Sequence, residues 1–189
     1  MTLSDLASVP VTVTGGAGFI GSHLVDALVA SGAKVTVVDS LVNGKEANLA
    51  GVREQIRFFK GDIRDIDACH RAIEGSRFLF HLAALGSVPR SMKDPANTID
   101  QNVRGTANVF TAARDAGVER VVYSSSSSVY GDNTALPKRE GEEGRPLSPY
   151  ALSKGVNEQT AELFGRLFPL SFIGLRYFNV FGPRQDPAS

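Results

Sequence analysis

The sequence predicts an α/β fold, a doubly wound parallel sheet covered by helices on both faces, on three observations. β-branched segments alternate with segments of helical period along the whole chain. The first of them, Val11-Thr12-Val13-Thr14, runs into a glycine cluster and then an amphipathic stretch, Gly15-Gly16-Ala17-Gly18-Phe19-Ile20-Gly21. A central segment, Phe78 to Ala84, is nearly all apolar, as a strand buried on both faces must be.

Taken in order, Val11 to Thr14 is the first strand. Phe19 to Ala30 is a helix, with Ile20, Leu24, Ala27 and Leu28 at helical spacing and a stop at Ser31-Gly32. Lys34 to Asp39 is a second strand that ends in an acid, and Ile56 to Phe59 a third, followed by Gly61-Asp62. Ile66 to Glu74 is a short helix and Phe78 to Ala84 the fourth strand. Pro95 to Ala116 reads as one long helix, after which Arg120-Val121-Val122-Tyr123 enters a serine run as the fifth strand. Asp132 to Pro149 is polar, holds three prolines and reads as a functional surface loop. Tyr150 to Phe168 is a further helix, with Leu152, Val156, Leu163 and Leu167 on its apolar side, and Ser171 to Arg176 is the sixth strand.

Composition narrows the function. A chain of 189 residues suits one compact domain, and its 20 basic residues balance 20 acidic ones. No global field then favours nucleic acid or an anionic membrane, so an anionic ligand must be bound locally. Cys69 is the only cysteine, which excludes an internal disulfide and a cysteine-rich metal site. Met1 to Pro10 lacks the basic start and apolar core of a signal peptide, and no apolar run reaches the roughly 18 residues of a membrane span. The expectation is a soluble cytoplasmic protein that holds no metal.

Several residues carry chemistry. Gly15, Gly18 and Gly21 permit positive φ, let a pyrophosphate approach the backbone and let helix pack closely on strand, while the helix start offers free N–H groups to a phosphate. Glycine-rich turns also join strands to helices with no ligand. Asp39 lies about twenty residues further on, where an acid accepts hydrogen bonds from an adenosine ribose and repels a 2′-phosphate, favouring NAD over NADP; a loop acid or helix cap is the alternative. Asp62 stands similarly after the third strand, as an adenine contact or a turn residue. Tyr150 and Lys154 are four apart at a helix start and so share a face, as an acid-base pair would. A phenol with its usual pKa near 10 is a base only if its anion is stabilised, which a nearby ammonium, that of Lys154, and a positively charged nicotinamide could supply. The alternative is an exposed tyrosine and a solvated lysine. The run Ser124-Ser125-Ser126-Ser127-Ser128 sits at the carboxyl end of the fifth strand, where doubly wound sheets place ligands. No glycine elbow flanks it, which sets serine hydrolase chemistry aside.

These motifs stand in a telling order. Thr14 to Gly21, Asp39, Gly61-Asp62-Ile63, His81-Leu82-Ala83-Ala84, Asn102, the serine strand, Tyr150-Ala151-Leu152-Ser153-Lys154 and Arg176-Tyr177-Phe178-Asn179 follow one another as in extended short-chain dehydrogenases/reductases. The chain resembles the NAD-dependent nucleotide-sugar epimerases and dehydratases of that superfamily, which have a Rossmann fold. Ala84 to Ser91 is similar to the branch acting on UDP-N-acetylglucosamine or its uronic acid, which serves polysaccharide biosynthesis.

The resemblance implies Ser126, Tyr150 and Lys154 as catalytic residues, with Ser127 a rival to Ser126. It implies a cofactor site for NAD from Gly15, Gly18, Phe19, Ile20, Gly21, Asp39, Asn43, Asp62, Ile63, Leu82, Ala83, Ala84, Asn102, Ser124, Tyr150, Lys154 and Tyr177. Asn102 is expected to order the active-site turn more than to touch substrate. A UDP-sugar would be met by Gly86, Ser87, Ser126, Ser127, Tyr150 and Asn179. By the same resemblance Tyr150 takes the 4-hydroxyl proton while NAD takes the C4 hydride, and a 4-keto sugar turns before both return. Related dehydratases carry an acid beside the catalytic hydroxyl, and Ser126-Ser127-Ser128 has none. Residues 1–175 are expected to form the NAD-binding domain and 176–189 the start of a truncated substrate-binding region. Three outcomes stay open: a working 4-epimerase, an inactive NAD-binding module, and another nucleotide-sugar epimerase or dehydratase. A homodimer through helices 105–116 and 151–168 is also implied.

Overall fold

A computed structural model of the chain describes residues 3–186. Six strands form one sheet: β1 (Pro10–Thr14), β2 (Lys34–Asp39), β3 (Ile56–Lys60), β4 (Phe78–His81), β5 (Arg120–Ser126) and β6 (Ser171–Tyr177). All are parallel, in the order β3-β2-β1-β4-β5-β6. The helices are α1 (Phe19–Ala30), α2 (Ile66–Ile73), α3 (Val88–Lys93), α4 (Pro95–Ile99), α5 (Gly105–Asp115) and α6 (Pro149–Leu167). Strand order reverses between β1 and β4, so the crevice for a ligand opens at the carboxyl ends of those two strands.

The core lies in two layers. Val11, Val13, Val35 and Val37 of β1 and β2 pack with Val25 and Leu28 of α1. In the other layer Leu79 and Val121 pack around Phe110 of α5, whose ring meets Phe172 at 4.8 Å and Tyr123 at 5.7 Å. β-branched residues on buried strands thus become the walls that fix the strand ends.

Four features depart from the expectation. β4 ends at His81, and Leu82 to Ala84 leave the ladder after one last bond, Leu82 N–H to the Thr14 carbonyl (3.0 Å). The helix over 95–116 is interrupted by a π-turn at Asp100–Arg104, which inserts a residue and turns Asn102 into the interior. α6 buries Ala151, Ser153, Lys154, Asn157 and Ala161, and leaves Leu152, Leu163 and Leu167 at 47%, 44% and 63% exposure. Its inward face is occupied by polar groups and small side chains at the sheet, so the leucines point outward. Finally β6 is an edge strand with Ile173 and Leu175 exposed, so the sheet is not covered on both faces there. No helix of the described residues is long and apolar enough to cross a membrane.

Candidate active site

The glycine turn is built for contact at backbone distance. Gly15 has φ +72°, and a Cβ there would stand 2.7 Å from the Ala83 nitrogen. A Cβ on Gly21 would stand 2.1 Å from the Gly15 carbonyl oxygen. Gly18 opens α1 with no side-chain cap, which leaves the first-turn N–H groups for an anion. Around this turn Gly15, Gly18, Asp39, Asn43, Ile63, Leu82, Ala83 and Ala84 line one cleft. Val38, Ser40, Val42, Gly44, Gly61, Leu85 and Gln101 complete it.

Asp39 ends β2 facing that cleft at 8% exposure. Burial pushes its carboxyl above the usual carboxylate range, and N–H groups push back: Leu41 donates to Oδ1 (2.8 Å) and Ala17 to Oδ2 (2.9 Å). Each oxygen keeps a lone pair for a hydroxyl. Gly44 presses on it, since a Cβ there would lie 2.7 Å from Oδ1. Sequence reasoning missed Gly44, although Asn43-Gly44 is a turn dipeptide that signals close backbone approach. Asp62 lies outside the cleft lining: Arg64 grips it at 2.6 Å and Gln101 donates at 3.4 Å. Burial alone would raise its carboxyl, but the Arg64 contacts hold it below the usual range.

Asn102 is also absent from the cleft lining. Its Oδ1 accepts from Leu85 N–H (2.8 Å), and its Nδ2 donates to the Leu85 carbonyl (3.2 Å) and Ser153 Oγ (3.0 Å). The side chain joins the turn after β4 to α6.

The second group gathers where β5 meets α6. Ser148 Oγ caps α6 by accepting from Ala151 N–H (3.1 Å), and Pro149 fits the first helical position, which sets Tyr150 in the first turn. Ser126 is the serine against Tyr150, whose phenol it hydrogen-bonds. Ser126 Oγ also accepts from Ser128 N–H (3.1 Å), while Ser127 begins a separate 3-10 turn. Lys154 is 3% exposed and donates to the Ser124 carbonyl (2.8 Å). Burial pushes its ammonium down to about 8, with Glu158 opposing the fall.

Lys154 by itself does not bring the Tyr150 phenol below its ordinary range. Burial raises the phenol above its ordinary range, and the Ser126 hydrogen bond only partly offsets this. Lys154 Nζ stands 5.9 Å from the Tyr150 ring centroid while it donates to the Ser124 carbonyl.

The other predicted residues are placed around these groups. Phe19 and Ile20 form the first turn of α1 and do not line the cleft. Tyr177 ends β6 in register with Ser126, half-buried. Gly86 is exposed in open space, Ser87 caps α3 by accepting from Arg90 N–H (3.3 Å), and Asn179 is exposed beyond β6. A larger hollow of about 670 Å³, between α6 and β6, holds none of the predicted site residues and is open at the sheet edge.

Residues 11–189 match the NAD dependent epimerase/dehydratase family. A putative UDP-glucose 4-epimerase of Methanocaldococcus jannaschii is 39% identical, over 94% of this chain and 58% of that protein. The UDP-N-acetylglucosamine 4-epimerase of Methanobrevibacter ruminantium, solved with UDP-N-acetylmuramic acid, superposes with a TM-score of 0.92 at 42% identity, covering 97% of this chain and 59% of that one. The UDP-glucose 4-epimerase of Thermus thermophilus, solved with NAD, superposes with a TM-score of 0.87 at 40% identity, over 95% and 58%. The chain thus spans somewhat more than half the length of these relatives. The residues present suit a dinucleotide: an uncapped helix end for its phosphates and a buried acid with free lone pairs for a ribose diol. On this match in sequence and in fold, the chain belongs to the NAD dependent epimerase/dehydratase family, whose cofactor is NAD.

Proposed function

We propose that the protein is a 4-epimerase of a UDP-hexose, acting on UDP-N-acetylglucosamine and UDP-N-acetylgalactosamine. The observation that carries this reading is the meeting of Tyr150, Ser126 and Lys154 at the end of β5, across the strand-order reversal from the glycine turn. Support for the N-acetyl sugar comes from the segment Ala84 to Ser91 and from the likeness to the Methanobrevibacter enzyme.

Ser126 holds the sugar 4-hydroxyl toward Tyr150, and Tyr150 removes its proton and later returns it. The bound NAD supplies a reversible hydride acceptor for C4 and a positive charge that favours the phenolate. Lys154, whose one hydrogen-bond partner among the described residues is Ser124, keeps donor capacity for the ribose beside it. Gly86 and Ser87 stand at the sugar, Asn179 at the diphosphate and the Tyr177 backbone at the nicotinamide amide. Residues 1–175 serve as the cofactor domain and 176–189 as the entry to a substrate region.

The test is product formation from UDP-N-acetylglucosamine and from UDP-glucose, each with NAD, followed by chromatography of the nucleotide sugars. Faster turnover of the N-acetyl sugar is expected. Faster turnover of UDP-glucose would overturn the substrate assignment, and NAD binding with no product from either sugar would make this chain an NAD-binding module.

We also propose a homodimer through helices 105–116 and 151–168, supported by the outward Leu152, Leu163 and Leu167. Sizing with light scattering is expected to give twice the chain mass, and a monomer at all concentrations would refute the proposal. The protein would act in the cytoplasm.

A further inference from the structure

The motif His81-Leu82-Ala83-Ala84 contributes its alanines to the cleft, but its histidine points away from it. His81 is 4% exposed and lies in a chain of buried hydrogen bonds. Asn157 Nδ2 donates to Thr106 Oγ1 at 3.1 Å. Thr106 Oγ1 accepts there and is also hydrogen-bonded to His81 Nε2, at 2.9 Å. The other ring nitrogen, Nδ1, is hydrogen-bonded to Thr14 Oγ1, at 2.7 Å. Thr14 Oγ1 accepts from Ala83 N–H, at 3.3 Å. Burial and the nearby Lys154 push the imidazole down to about 3, so the ring is neutral.

The two ends of the chain matter. Thr14 is the last residue of β1, directly before Gly15, and the packing of Ala83 against Gly15 sets the floor of the cleft. Asn157 follows Tyr150 and Lys154 on the same face of α6, at successive turns. Thr14, Thr106 and Asn157 are 1%, 1% and 3% exposed, and none of the four lines the cleft.

We propose that His81, Thr106 and Asn157 are positioning residues that set the spacing between the glycine turn and the Tyr150–Lys154 face, so that one cofactor reaches both. This rests on the reading that NAD spans the two groups. A ligand that needs both ends should feel a broken chain, and one that needs only the glycine turn and Asp39 should not. NAD is the first kind and ADP the second.

The experiment measures NAD and ADP affinities of the full chain by calorimetry. Thr106→Val removes the hydroxyl at nearly constant volume, and Thr106→Ser keeps it. Thr106→Val is expected to weaken NAD about tenfold, the effect of roughly one buried hydrogen bond, with ADP changed less than about twofold. Thr106→Ser should bind both as the wild type does. Unchanged NAD affinity in Thr106→Val, or equal weakening of NAD and ADP, would overturn the proposal. Asn157→Ala breaks only the α6 end and leaves the His81 bonds in place. It decides the matter if Thr106→Val does not fold: selective loss of NAD supports the proposal and equal loss overturns it. Wild-type protein that bound ADP but not NAD would instead overturn the cofactor reading, and the proposal with it.

Discussion

Tyr150→Phe is expected to lower the epimerisation rate by about 10²- to 10⁴-fold while NAD still binds. The substitution keeps the ring in its half-buried place and removes the one group that takes the 4-hydroxyl proton. The fold loses only the hydrogen bond to Ser126, on the order of 1 kcal/mol, so the variant stays folded. Product formation and NAD affinity, measured on one preparation, check both halves of the prediction. A rate equal to the wild type would remove Tyr150 from the mechanism. Burial alone leaves this phenol protonated at neutral pH, so its action as a base depends on positive charge brought by the cofactor.

Gly21→Ala is expected to abolish tight NAD binding and to lower the melting temperature by roughly 10 °C. The added Cβ would lie 2.1 Å from the Gly15 oxygen and 2.9 Å from the Gly16 Cα, both backbone atoms that cannot swing aside. α1 must move off the turn, an overpacking cost of about 3 kcal/mol. The same movement takes the uncapped first-turn N–H groups away from the cleft. Gly86→Ala is the control, because nothing lies within 4 Å of a Cβ there. Thermal melts with NAD titrations of the two variants test the contrast. A Gly21→Ala protein with wild-type melting and affinity would contradict it.

How much of this was readable in advance depends on the range of the interactions involved. The strands, the glycine turn and the acid at the end of β2 follow from neighbours in sequence: β-branched runs, spacing and turn residues. Parallel pairing follows from the helices between strands, which leave no room for hairpins. The break at Asp100–Arg104 was not readable, because Asn102 turns inward to meet Leu85 and Ser153, both distant in sequence. The side of α6 that faces the sheet was misread for a related reason. Hydrophobic period assigns the leucines inward, yet the helix carries Lys154 and Asn157 to partners on β5 and α5.

By itself the sequence determined the doubly wound class, the residues able to hold a dinucleotide, and the tyrosine-lysine spacing. The tertiary structure alone decided which serine meets Tyr150, that Asp62 is held by Arg64, and that His81 bonds inward. The physical reason is one of geometry and solvation. Local pattern selects which backbone forms and which side chains are capable of a reaction. Hydrogen-bond partners and the pKa of a buried group depend on atoms brought near only when strands and helices pack, as Lys154 illustrates, driven down to about 8 by burial.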